Sequence, residues 1–161
     1  MKKYFLITLV FFGLLSCEDD VRFNNPSFQG LKDNVFWRGV RSKATIASDG
    51  SLLIESLIVN ETISLKTAAA EPQTYFLGTS EESKAVCTVT NPATGTTTYT
   101  TGFGVGQGQI IITEYDAINK TVTGTFKFSA ENTDSSSQAN ATVNFQQGVF
   151  YKIPVEKLSV P

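Results

Sequence analysis

The chain has 161 residues, with 13 Lys and Arg against 15 Asp and Glu for a formal net charge of −2, and 41% of it is apolar. It has no histidine and only two cysteines, Cys17 and Cys87. These absences exclude Ser-His-Asp and Cys-His catalysis, imidazole metal clusters and thiolate zinc sites, and the lack of a basic excess argues against nucleic acid as a partner.

The chain opens like an export signal. Lys2 and Lys3 precede "YFLITLVFFGLL", twelve residues with Thr8 as the one polar member. As a helix this run spans about 18 Å, against about 30 Å for the hydrocarbon core of a bilayer, so a signal-peptide h-region is expected rather than a spanning helix. It stops at "LLSC", which has the form of a bacterial lipobox: Leu14 at −3, the small Ser16 at −1, then Cys17. Residues 1–16 are thus read as a lipoprotein signal peptide and Cys17 as the lipidated residue. Two or more acyl chains hold stably where one does not. With Cys17 carrying lipid, Cys87 has no partner and no disulfide is expected.

Glu18, Asp19 and Asp20 follow at once. As physical chemistry they form a solvated spacer. They also resemble the acidic signal that lipoproteins of Bacteroidota carry after the lipidated cysteine for display on the outer face of the outer membrane. The resemblance implies an outer-membrane protein, at the cell surface in preference to the periplasmic face. Loss of Lys2 and Lys3 with the signal leaves 11 basic residues against 15 acids, a net of −4. The 145 residues from Cys17 onward suit one domain and a core that needs no staple.

Residues 17–34 read as a lipid-anchored acidic tether, with Phe28 and Leu31 marking where it docks, and residues 35–161 as the folded domain. In "VFWRG" adjacent residues face opposite sides, which places one of Phe36 and Trp37 in the core, with Trp37 favoured. "SKATIAS" and "SLLIESLIV" flank Asp49-Gly50, a two-residue hairpin signal, because Asp-Gly accepts the positive φ of a type I′ turn. "ETISLKT" follows a tight reversal. "AAAEP" is the one place for a helical turn, limited by Pro72. "TYFLG" is a short strand. "KAVCTVT" and "TTYTT" make a second hairpin, with Cys87 read as a small buried hydrophobe. "QIIITEYD" and "KTVTGTFKFSA" make a third, and "NATVNF" and "GVFYKIPV" a last pair.

The clearest alternation is "TVTGTFKFS". Val122, Gly124, Phe126 and Phe128 fall on one face, and Thr121, Thr123, Thr125, Lys127 and Ser129 on the other, a division no helix gives. Short strands rich in β-branched residues predict an all-β, antiparallel domain: a β-sandwich, with a flattened barrel as the alternative.

"GFGVGQG" has glycines at alternate positions, but a strand follows it, where a phosphate loop needs a helix. It reads as a hairpin loop or bulge. Glu114 and Asp116 share a strand face about 7 Å apart and read as a solvated edge. No catalytic residue, metal site or cofactor is expected. The candidate binding residues are Tyr99 and Phe103, beside the loops "NPATGTTT" and "GFGVGQG".

The lipobox, "NPSFQGLKDNVFWRG", "GQIIITEYDAINKTVTGTFKF" and the late "GVF" resemble a family of small lipoproteins of Bacteroidota, commonly flavobacterial, known only as a domain of unknown function. The resemblance spans nearly all of the mature chain and supplies no activity. The functional expectation is a non-catalytic binding or structural module for a glycan, a peptide or an envelope protein, held to the membrane by Cys17. A carboxylate-based polysaccharide hydrolase is the alternative.

Overall fold

The computed structural model describes residues 27–134 and 139–157. Residues 1–16, expected to be a signal peptide, together with Cys17, Glu18, Asp19 and Asp20, lie outside the described residues. Eleven strands form: β1 (Ser27–Lys32), β2 (Val35–Arg38), β3 (Arg41–Ile46), β4 (Leu52–Ile58), β5 (Glu61–Thr67), β6 (Thr74–Leu77), β7 (Lys84–Asn91), β8 (Gly95–Thr100), β9 (Gln107–Asp116), β10 (Thr121–Asn132) and β11 (Thr142–Lys157). No helix forms among the described residues.

All eleven belong to one sheet in the order β2-β1-β11-β3-β4-β5-β7-β8-β10-β9-β6, and a further pairing of β10 with β11 bends it into a ring. The ring is flattened into a sandwich. One face is β2-β1-β11-β10-β9-β6 and the other β3-β4-β5-β7-β8. They join at two corners. At one, Val155–Lys157 of β11 run parallel to Ala44–Ile46 of β3. At the other, Glu131 and Asn132 at the end of β10 pair with Thr100 and Tyr99 of β8. The remaining pairings are antiparallel.

The phenylalanines and the tryptophan of the core all come from one face. The six-stranded face contributes rings: Phe28, Trp37, Phe126, Phe128, Phe145 and Phe150 are all buried. Phe28 meets Phe126 tilted by 35° at 4.8 Å between ring centroids, and Phe128 stacks on Phe145 at 4.8 Å, spacings at which ring pairs attract. The five-stranded face answers with Leu52, Ile54, Ile63, Leu65, Ala85 and Cys87. Along β10 the inward set is Val122, Gly124, Phe126, Phe128 and Ala130, as the alternation predicts. Gly124 sits where an added Cβ would meet the Ile111 carbonyl and the Phe150 ring, which accounts for a glycine inside a strand.

Four expectations change. The stretch read as tether contains β1, which pairs with both β2 and β11 and buries Phe28 completely, so the fold begins by Ser27 rather than Val35. A polar, Pro- and Gly-containing composition hid a strand whose buried positions are only Phe28 and Gly30. The Asp49-Gly50 turn is wider than two residues: β3 ends at Ile46 and β4 starts at Leu52, because Ser51 donates both its N–H and its hydroxyl to Asp49 Oδ1 at 2.9 and 2.7 Å. Residues 68–73 form bends, not a helical turn. The last strand pair is one strand, β11, bent in its middle.

Candidate functional site

The bend in β11 comes from a register shift. Phe126 pairs with Gly148 and Phe128 with Phe145, so Lys127 alone faces both Gln146 and Gln147. This is a β-bulge, two residues opposite one. Gln147 takes φ 50°, and both glutamines are exposed. Gly148 makes the arrangement possible: a Cβ there would lie 2.6 Å from the Phe126 ring, too close for any side chain.

The neighbouring strands extend the row. Lys127 pairs with Gln109 of β9, and Gln109 with Phe76 of the edge strand β6. One row across the outer face therefore runs Phe76, Gln109, Lys127, then the Gln146–Gln147 bulge. A second row beside it runs Gln107, Ser129, Asn144. Three inter-strand spacings put Phe76 about 14 Å from the bulge.

These residues line a groove of about 690 Å³, and a neighbouring hollow of about 320 Å³ shares Gln109, Lys127 and Gln147 with it. The groove lies within the size range of small-molecule sites. Four of the chain's seven glutamines line it. None of those four amides is hydrogen-bonded to a described residue, so each presents a donor pair and an acceptor outward. Phe76 is 61% exposed, and no Asp or Glu lines the groove.

A different cavity, about 650 Å³, opens at one end of the sandwich between Lys32 and Asp33, the β7–β8 turn and residues 139–143. Tyr99 lines it and is 7% exposed, and burial holds its hydroxyl above the usual tyrosine range. Behind it Lys32 Nζ reaches across the sandwich to Glu61 Oε2 at 2.8 Å, and the Cys87 thiol donates to Glu61 Oε1 at 3.7 Å. Burial pushes the Cys87 thiol up to about 12, so it stays protonated and is no nucleophile at neutral pH.

Phe103 does not line that cavity. It stands 74% exposed in the turn after β8, its N–H donating to Glu81 Oε1 at 2.7 Å. Lys84 pairs with the same carboxylate, and together these contacts hold Glu81 below its ordinary pKa. The loops "NPATGTTT" and "GFGVGQG" thus sit at opposite ends of β8, and Tyr99 and Phe103 do not converge. Asp116 caps its own turn, accepting from the N–H groups of Ile118 and Asn119 at 2.9 Å each. Among the described residues no group of three His, Cys, Asp or Glu side chains gathers as a metal site.

Sequence reading passed over the glutamine groove although its signals were present. Gln107 and Gln109 flank Gly108 at strand period and so share a face. "FQQG" breaks the alternation of a strand at a glycine, which is the mark of a bulge. Phe76 follows from Tyr75 and Leu77 turning inward on either side of it.

The family model described as "Domain of unknown function (DUF6252)" matches residues 24–154. Comparison with curated proteins and with solved structures gives no match.

Proposed function

Because the chain belongs to the DUF6252 family, whose function is unknown, its role has to come from its own geometry, and we propose that it is a non-catalytic binding module that works through the glutamine groove on the outside of the six-stranded face. The observation that carries this reading is the groove itself: about 690 Å³, flanked by an exposed ring and lined by four glutamine amides that have no hydrogen-bond partner among the described residues. β9 and β11, each paired on both sides, hold them in place, and binding without a catalytic group asks for that and no more. A polysaccharide hydrolase would need two carboxyl groups about 5 to 9.5 Å apart, and the groove is lined by none.

We further propose that the module is a lipoprotein of Bacteroidota, held by lipid on Cys17 to the outer membrane and displayed at the cell surface through Glu18, Asp19 and Asp20. The support is the lipobox and the acidic run that follows it.

The test fills the groove. Full-length protein in detergent is incubated separately with the polysaccharide, peptidoglycan and protein fractions of the envelope, alongside a Gln109→Trp, Gln147→Trp variant. Retention on one fraction is expected to fall at least about tenfold in the variant, a loss of roughly 1.4 kcal/mol. Equal retention of a folded variant would remove the groove from the function.

A further inference from the structure

We infer that the ligand of the groove is an uncharged oligosaccharide, lying across the strands with one sugar ring on Phe76 and its hydroxyls read by the amides of Gln109, Gln146 and Gln147. This rests on the binding role proposed above and specifies its chemistry. Four features of the groove point the same way.

The first is the polar inventory. A sugar hydroxyl both donates and accepts, and a side-chain amide offers two donors beside one acceptor, so amides match hydroxyls without setting a charge. Four glutamines and Ser129 supply that mixture, Asn144 adds its amide oxygen while its Nδ2 donates to Asp33 Oδ1 at 3.3 Å, and Lys127 is the only formal charge in the lining. A phosphorylated or acidic ligand would call for Arg or Lys in number, and a basic one for carboxylates.

The second is the ring. Phe76 stands 61% exposed at the outer edge of the row, on a short strand that pairs only with β9. Its flanking residues Tyr75 and Leu77 are buried, so the backbone beneath it is fixed. A flat ring held this way presents apolar area to the C–H face of a pyranose at low entropic cost.

The third is length. From Phe76 to the bulge the row covers about 14 Å, a span suited to a short run of sugar units rather than to a single one. The fourth is backbone satisfaction. β9, β10 and β11 are paired on both sides through this region, so an extended peptide lying across them finds no free strand edge; the one open edge, that of β6, lies at the rim beyond Phe76 and not along the floor that carries the amides.

The experiment is calorimetric titration of the full-length protein in detergent with cellotetraose, xylotetraose, mannotetraose and chitotetraose. Tetragalacturonate and a ten-residue alanine–threonine peptide are the counter-probes. At least one neutral tetrasaccharide is expected to bind. Phe76→Ala and the pair Gln109→Ala, Gln147→Ala should each weaken it at least about tenfold, while Thr88→Ala on the opposite sheet changes it less than about twofold. Thermal unfolding confirms that each variant is folded. If no neutral tetrasaccharide binds at millimolar concentration but the peptide or the polyuronate does, in a manner lost in Phe76→Ala, the ligand class is wrong and the groove stands. If a neutral sugar binds and every groove variant keeps its affinity, the site is wrong. If nothing binds, both readings fall.

Discussion

Cys87 shows how one buried side chain is made chemically silent. It lies fully inside the sandwich with its thiol turned to Glu61, and burial pushes its pKa up to about 12 from an ordinary 9.0. Between those values the unfolded chain has released the proton and the folded chain has kept it. Stability is therefore complete below pH 9 and falls as pH rises toward 12, by up to about 1.4 kcal/mol per pH unit for one such proton. Denaturant melts of the protein and of Cys87→Ala, taken from pH 8 to 11, should show a shallower alkaline decline in the variant. Two parallel curves would mean the thiol is not buried as described. At pH 8 the native thiol should also resist alkylation for as long as the fold holds.

At the scale of the element, β10 is the strand whose faces differ most. Phe126 is buried among Phe28, Phe128 and Phe145, while Thr125 faces solvent. Phe126→Ala should cost about 3–5 kcal/mol in chemical denaturation and Thr125→Ala less than about 1 kcal/mol, the ordinary contrast between emptying a core site and trimming an exposed one. Comparable losses would place the wrong face inside. This strand was the most legible part of the sequence because period two persists over nine residues, and the same logic placed β5, β7 and β9 close to their true ends. Where sequence reading slipped, a local rule met a long-range one. β1 carries little apolar signal of its own and is a strand because β11 pairs beside it. The β11 bulge splits the alternation into two short runs that read as two strands, when the break is two glutamines stepping outward over Gly148. The groove went unread for the same reason. Its residues come from four strands spread between Phe76 and Gln147, and only the register lines them up. Tyr99, expected with Phe103 as a binding residue, is buried at 7% exposure, and which end of β8 each flanking loop occupies is a matter of topology.

For the whole molecule, the lipid attachment proposed at Cys17 can be tested apart from the fold. Cys17→Ser should abolish fatty-acid labelling of cells fed an alkyne palmitate analogue, while Cys87→Ser leaves labelling intact. Label surviving in Cys17→Ser would end the lipoprotein proposal. Ala at positions 18, 19 and 20 should keep the protein in the membrane fraction but shield it from protease added to whole cells, and undiminished shaving would reduce the acids to a spacer. The closure of the ring has a consequence of another kind, in time rather than space. β11, the last strand to be made or delivered, is the only one that touches β1, β3 and β10 together, and the pairing of Ser27 with Tyr151 joins the two extremes of the fold. Contacts so distant along the chain form slowly, since a long loop must close before they return anything. Until then β1, β3 and β10 each hold out an unpaired edge, and an unpaired edge recruits whatever strand comes near. A chain halted before Thr142 would therefore be adhesive rather than merely incomplete, and the sixteen-residue β11 is what covers those three edges at once.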